Sequence, residues 1–471
     1  MKVANRTVTA TRLVQDALEK AKHFNATHNI FTFLDESSAL KAAAKIDTKI
    51  TKGEDPGLLA GVPFAIKDNF LHPAGPTTAS AKILENFTSP ITATAVQKLE
   101  QAGAILIGRT NLDAFAHGSS TENSYFGPTK NATDTTRVAG GSSGGSAVAV
   151  ALDIVEFALG TDTGGSIRQP ASFNGVLGFK PTYGAISRFG VIPMASSTDC
   201  VGFFTKSPED LDLLMSLTAG QDPADHTSLP DFYNLPPNPS ESAPTKEVEA
   251  SENPTIGIIK DLDYSILHSD VKATYEATIK KAKDRGFKIV ELSLPTLKYA
   301  LAAYYIITPA EVASNLSRYD GIRYGYRAPS ATTLDAIYQD TRSQGFMPEN
   351  KRRIIIGNFV LSSGFYDAYF KKAAKVRTLI IQEYAAAFKK CDFILSPVSP
   401  NPAFKLGAKT HDSMAMYLED FFSVPANLAG LPALAFPTGT TTTKDGLPLG
   451  LQLLAPRKQD RKLINFVKEF I

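Results

Sequence analysis

Two short runs carry the residues most able to do chemistry. They are Gly140-Gly141-Ser142-Ser143-Gly144-Gly145-Ser146 and Thr161-Asp162-Thr163-Gly164-Gly165-Ser166. Glycine reaches backbone conformations closed to other residues, and a glycine-rich loop before a helix aims free N–H groups outward. Such groups suit a phosphate, or a carbonyl oxygen gaining negative charge. No lysine follows the glycines at the Walker spacing and no G-x-G-x-x-G occurs, which disfavours a phosphate cradle. Gly141-Ser142-Ser143-Gly144-Gly145 fits G-x-S-x-G, but the polar residues 131–138 before it do not form the strand that a nucleophile elbow needs. Alone, either loop is as well explained by a tight turn. A lysine adds to them. Gly61 to Ile66 reads as a buried strand, and it ends in Lys67-Asp68-Asn69. A lysine closing an apolar strand can lose enough hydration to become neutral and act as a base. Lowering its pKa from about 10.4 to near 7 costs ~4–5 kcal/mol of differential solvation. A salt bridge to Asp68, or a snorkelling side chain, is the other reading of Lys67 taken alone.

These residues need a frame. Ala147 to Leu159 is one apolar passage, Ala/Val-rich and helical at first, with Val155 to Leu159 expected as a buried strand. Loop, helix, strand, loop would bring both glycine–serine runs to one sheet edge. Upstream, apolar residues at helical spacing predict a helix from about Thr11, capped by Thr9 or Thr11. A second helix is expected from Glu36 to about Thr48, and a third from Ala93 to Gln101, ended by Gly103 before a strand Ala104 to Ile107. Downstream, a helix starts at Arg168 and Pro170, a strand runs from Val176 to Phe179, and Ser207 to Leu217 reads as a capped helix. Strands Thr255 to Ile259 and Lys288 to Leu292 flank a helix Val271 to Arg285. The last helix, Asp460 to Phe470, has Asp460 as its cap. This alternation predicts an α/β fold with a mixed β-sheet core covered by helices. Residues 228–254 hold six prolines and few large apolar groups, so they are expected to form a surface loop. The whole chain, 1–471, is expected to be one domain.

Composition narrows the classes. Of 471 residues, 43% are hydrophobic and 20% charged, the balance of a globular protein. A net charge of +2 gives no field strong enough to bind nucleic acid unaided. The two cysteines, Cys200 and Cys391, lie in no C-x-x-C and beside no histidine, so they read as buried thiols of a reducing compartment rather than zinc or redox sites. The seven histidines are scattered and read as surface or packing residues; no metal is expected. The first residues show neither a long apolar run nor a cleavage site, which points to the cytoplasm or an organellar matrix and to no membrane contact.

Lys67, Ser142 and Ser166, with GGSSGGS and GTDTGGSIRQPA around the serines, resemble the amidase signature family, and their intervals agree with it. The resemblance implies that family's fold and a Ser-Ser-Lys triad. Ser166 would be the acylated nucleophile, Ser142 the bridging serine and Lys67 the base. The N–H groups of Thr163, Gly164, Gly165 and Ser166 would form the oxyanion hole. The small polar residues of 111–129 resemble the stretch that lines the family's substrate pocket.

The second half resembles one branch, the A subunits of glutamyl/aspartyl-tRNA amidotransferases. The residues that carry this are 304–325, Lys351-Arg352-Arg353-Ile354, 364–369 and 416–437. The branch implies glutamine as substrate, its carboxylate gripped by Arg353 in a bidentate fork, its ammonium held by Asp420, and Tyr304 lining the same pocket. Arg352 competes with Arg353 for the carboxylate. Without the resemblance, Arg353 would read as a solvated arginine in a basic run and Asp420 as a helix cap. The branch also implies partners. A B subunit would use ATP and Mg2+ to amidate misacylated Glu-tRNA(Gln), and in some systems Asp-tRNA(Asn), and would make most of the tRNA contacts. A C subunit would hold the other two together. This chain itself would bind no cofactor. Two alternatives stay open: a free-standing amidase for small or acyl amides, which would not need Arg353 with Asp420, and a non-catalytic assembly protein, which would not need the triad.

Overall fold

The apolar runs of the chain collect into one mixed sheet. The computed structural model describes residues 8–234 and 254–471. Its strands are β1 (Phe31–Leu34), β2 (Pro63–Lys67), β3 (Ile105–Thr110), β4 (Phe157–Asp162), β5 (Leu177–Lys180) and β6 (Cys200–Thr205). They continue as β7 (Thr255–Ile259), β8 (Lys288–Leu292), β9 (Phe393–Pro397), β10 (Ala433–Thr442) and β11 (Pro448–Leu454). Among the described residues these make one eleven-stranded sheet, in the order β1-β3-β2-β4-β6-β5-β10-β11-β9-β7-β8. β2 runs parallel to both β3 and β4, whereas β4 to β9 across the centre pair antiparallel.

Side chains alternate between the faces of a strand, and here the two faces differ in size. Phe64 and Ile66 of β2 and Phe157 and Leu159 of β4 enter one core, while Ala65 and Ala158 enter the other. The alanines leave room for the helix Gly144–Ala151, whose Ala147 to Val150 complete the second core. Lys67, two residues after Ala65, belongs by alternation to that same face. The first glycine–serine run is thereby laid over the end of β2.

Several boundaries differ from expectation for identifiable reasons. β4 starts two residues later than predicted and runs on to Asp162, because its ladder with β6 continues to the Asp162–Cys200 pair. Thr161 and Asp162 are therefore strand residues. Thr9 caps the helix Ala10–His28 by accepting from the Arg12 amide, and Thr11 bonds Asp47 instead. Asp460 is not the cap of the helix Asp460–Phe470. Its carboxylate accepts from the Thr182 amide and hydroxyl, so the side chain staples the last helix to the loop after β5. Residues 228–234 are not merely a surface loop: Tyr233 is buried and its hydroxyl donates to Asp212. The remainder of the predicted loop, 235–253, lies outside the described residues.

Two helices of the second half cross closely. Gly357, in the helix Pro348–Leu361, lies against the Pro309 carbonyl of the helix Ala300–Asn315, where a Cβ would come within 1.9 Å of that oxygen. Only a glycine permits this approach. The crossing sets Arg353 of one helix against Tyr305 of the other.

Candidate active site

The strand ends deliver the first components. Lys67 Nζ lies 2.7 Å from Ser142 Oγ, 2.9 Å from Thr161 Oγ1 and 3.4 Å from the Thr161 carbonyl. Lys67 and Ser142 are fully buried. Burial draws the Lys67 pKa down to about 7, although Asp113, Asp162 and Asp199 each pull it back up. Asn69 donates to the same Thr161 hydroxyl at 3.1 Å. The peptide bond between Gly141 and Ser142 is cis.

The second glycine–serine run wraps around a buried carboxylate. Asp162 accepts from the amides of Gly165, Ile167 and Arg168 and from the Arg168 guanidinium. Its pKa is held well below the ordinary range: burial would raise it, and the Arg168 charge with its hydrogen bonds outweighs that. Arg168 is itself fully buried, and it also bonds Ser423 O, Gln452 and Asn427 from distant parts of the chain. The helix Arg168–Asn174 therefore already has an anion at its N-terminus. This fits no phosphate and agrees with the missing Walker lysine.

The wrapping has a second consequence. The Gly165 amide, expected among the oxyanion donors, is committed to Asp162 Oδ1 at 2.9 Å. The amides of Thr163, Gly164 and Ser166 have no protein acceptor among the described residues. Thr163 Oγ1 is anchored on Asp199, and the Gly164 carbonyl accepts from Ser423 Oγ. Ser166 is 8% exposed, the most accessible of the three expected triad members. Its carbonyl accepts from the Ser143 amide, which seats it beside the first run, while its hydroxyl makes no bond to Ser142.

A second group of residues gathers nearby. Tyr304 stands over Gly164, where a Cβ would lie 2.4 Å from the tyrosine hydroxyl. Asp420 is buried; Oδ1 accepts from Ser119 at 2.8 Å and Oδ2 from Tyr305 at 2.7 Å. Burial raises its pKa to about 7 against the pull of those hydrogen bonds and of Arg353. Arg353 is only 3% exposed. Its Nε bonds Glu349 at 2.9 Å, and its guanidinium lies 5.4 Å from the Tyr305 ring centre and 5.8 Å from that of Tyr417. Burial would pull the Arg353 pKa down, but Glu349 and the surrounding tyrosines carry it well above the usual value. Arg352 is exposed and pairs with the other oxygen of Glu349. Arg353 and Arg352 both line a cavity of about 250 Å³, with Ser119, Glu349 and Tyr417 on its walls.

The expected residues thus divide into two groups, Lys67 with Ser142 and Ser166, and Arg353 with Asp420 and Tyr304. Neither the solvated arginine nor the capping aspartate describes Arg353 or Asp420. Sequence reasoning missed Thr161, Ser119, Tyr305, Glu349 and Tyr417. Signals existed for some of them: Ser119 lies in the polar stretch 111–129, Tyr305 adjoins Tyr304, and Glu349 precedes Arg353 by the four residues that make helix neighbours. Nothing local marks Tyr417.

The amidase family model matches residues 12–464. The chain belongs to the amidase family. A relative from Koribacter versatilis, named as the A subunit of glutamyl-tRNA(Gln) amidotransferase, is 46% identical over 467 residues, which is 98% of this chain and 95% of the relative. Among solved structures, the A subunit of the Thermotoga maritima glutamyl-tRNA(Gln) amidotransferase is 36% identical with a TM-score of 0.76, covering 98% of this chain and 93% of its own. Another, described only as an amidase, is 31% identical with a TM-score of 0.81 over 99% of this chain and 96% of its own. Amidase-family membership supports amide hydrolysis. Among the described residues, no helix of this amidase is long and apolar enough to cross a membrane.

Proposed function

We propose that this chain is the glutaminase component of a tRNA-dependent amidotransferase. The observation that carries the proposal is a buried lysine–serine pair beside a less buried serine, with a buried arginine and a buried aspartate close by. Neutral lysine has two N–H donors and one lone pair. The Thr161 carbonyl can only accept, and the Thr161 hydroxyl accepts from Nζ as it does from Asn69, so both donors are used on Thr161. The lone pair is left for the Ser142 hydroxyl proton. Ser142 then takes the proton of Ser166 as the Ser166 oxygen attacks the side-chain amide carbon of glutamine. Charge on the carbonyl oxygen is met by the free amides of Thr163, Gly164 and Ser166. The proton returns to the amide nitrogen, the C–N bond breaks, ammonia leaves and a glutamyl ester remains on Ser166. Water, activated through the same relay, releases glutamate.

Arg353 takes the α-carboxylate with the two nitrogens that Glu349 leaves free, and Asp420 takes the ammonium. The exposure of Arg352 supports giving the grip to Arg353. The ammonia passes to a B subunit that activates Glu-tRNA(Gln), or Asp-tRNA(Asn), with ATP and Mg2+; a C subunit joins the two. In this reading the nucleotide belongs to the B subunit; the helix terminus after the second glycine–serine run is filled by Asp162. The names of the full-length relatives support this assembly. The test is to purify the chain from its own cells, identify what co-purifies, and assay ATP- and glutamine-dependent formation of Gln-tRNA(Gln). Two companion proteins and that activity are expected. A lone chain that turns over neutral amides and ignores glutamine would make it a free-standing amidase.

A further inference from the structure

His117 is fully buried, and its two ring nitrogens have different surroundings. Asn350 fixes one of them. The Asn350 side-chain oxygen accepts from the Met347 amide at 3.1 Å, so its nitrogen points the other way, donating to the Ala114 carbonyl and to His117 Nδ1, each at 2.7 Å. Nδ1 is therefore an acceptor, and the ring proton sits on Nε2. Nε2 is buried and has no hydrogen-bond partner among the described residues. Burial, and secondarily the Arg353 charge, hold the His117 pKa well below its ordinary value, so the ring is neutral.

A buried donor left unpaired is costly, and this one is held in place. Phe115 and Ala116, just before it, both adopt left-handed backbone angles (φ 54° and 63°) that non-glycine residues rarely take. His117 and Arg353 line the same cavity of about 250 Å³. The acid nearest Arg353, Glu349, is already taken up by Arg353, Arg352 and Tyr417. Glu122, also on the cavity wall, has one oxygen without a partner among the described residues, and no hydrogen bond joins it to His117.

We propose that His117 Nε2–H donates a hydrogen bond to the substrate α-carboxylate held by Arg353, making His117 a second specificity residue for glutamine. This rests on the assignment of the carboxylate to Arg353. A neutral donor adds a directed bond to the carboxylate without adding charge to the pocket.

Two substitutions separate the two nitrogens. His117→Asn keeps a group near Nδ1 that can accept from Asn350, and it removes the donor at Nε2. His117→Gln places an amide nitrogen near Nε2. The readout is the ratio of kcat/KM for glutamine to that for 4-aminobutanamide, which is glutamine without its carboxylate, measured on the full-length chain with whatever proteins purify with it. A hydrogen bond to a charged group predicts a roughly ten- to hundred-fold fall in this ratio for His117→Asn, and a ratio within about three-fold of wild type for His117→Gln. An unchanged ratio in His117→Asn overturns the proposal, whether or not both rates fall together. A His117→Gln variant as poor as His117→Asn also overturns it, because ring shape would then matter rather than the N–H. Arg353→Ala run in parallel separates the failures. If its ratio falls while that of His117→Asn does not, only the His117 bond is wrong. If neither ratio moves, the glutamine assignment of the pocket is wrong as well.

Discussion

The two halves of the candidate site are built differently. The proposed catalytic half stands on strand ends: Lys67 closes β2, and Thr161 and Asp162 close β4. Its charged side chains are dry and paired within the protein, down to the Asp162 carboxylate with its three backbone amides. The proposed recognition half stands on crossing helices and a short 3-10 turn, lined by Tyr304, Tyr305 and Tyr417; among the described residues His117 Nε2 has no partner and Arg353 bonds through Nε. Strand ends hold a base and its relay in place because ladder hydrogen bonds fix the backbone on both sides. Recognition groups must keep some capacity free until the ligand arrives. The difference separates a base and relay fixed by strand ladders from a pocket built on helices, and each keeps free donors where the ligand is to sit: backbone amides in the first, side chains in the second.

The sharpest way to break this comparison is at the lysine. Arginine keeps its proton, so Lys67→Arg should lose roughly 10²–10⁴-fold in glutaminase rate, read as glutamate release at saturating glutamine, with the melting temperature as a fold control. A variant with half the normal rate would remove Lys67 as the base. Next comes Asp162→Asn, which strands the buried Arg168 charge. The expected cost is about 3–5 kcal/mol in denaturant unfolding. The exposed Lys22–Glu36 pair, at a similar distance, is the contrast: Lys22→Ala should change stability by no more than about 1 kcal/mol. Equal costs would mean that burial does not distinguish the two pairs.

On the recognition side the effects are smaller and selective. Arg353→Ala should lower the glutamine to 4-aminobutanamide ratio roughly 10–100-fold, while Arg352→Ala moves it little. A reversed order would transfer the carboxylate to Arg352. The subtlest test is the pH profile. Lys67 must be neutral to act, so kcat should fall as pH drops through about 7. Asp420, raised to about 7 by burial, must be ionised to bind an ammonium, so it too is lost as pH falls through that value. Bound ammonium favours the ionised form, which leaves kcat governed by one group and kcat/KM by two. Below pH 7 the slope of log kcat/KM should approach two in the wild type and one in Asp420→Asn; identical slopes would exclude Asp420 as the ammonium ligand.

How legible each half is in the sequence follows from how it is built. Lys67, Ser142 and Ser166 sit in contiguous motifs at the ends of apolar runs, so their neighbourhood is local and readable. The ladder to β6 is not local, which is why the apolar pattern ends β4 at Leu159 and leaves Asp162 in a loop. Its claim on the Gly165 amide escapes notice for the same reason, since a carboxylate three residues from a glycine reads as a turn residue until the backbone closes around it. The recognition half comes from four separated stretches, bearing Ser119, Tyr305, Glu349 with Arg353, and Tyr417 with Asp420. Periodicity is silent about which helix faces meet, so Arg353 and Asp420 emerge only through resemblance. His117 reads in the sequence as a packing residue, which is true of Nδ1 and not of Nε2.

The central claim is that Ser166 is the nucleophile of a glutamine-specific site, and covalent trapping tests it most directly. A glutamine analogue carrying a diazomethyl ketone in place of its amide should alkylate the attacking side chain. Mass spectrometry should then find a single adduct on the peptide containing Ser166, absent from Ser166→Ala and blocked by excess glutamine. An adduct on Ser142 or Ser143, or one that persists in Ser166→Ala, would contradict the account.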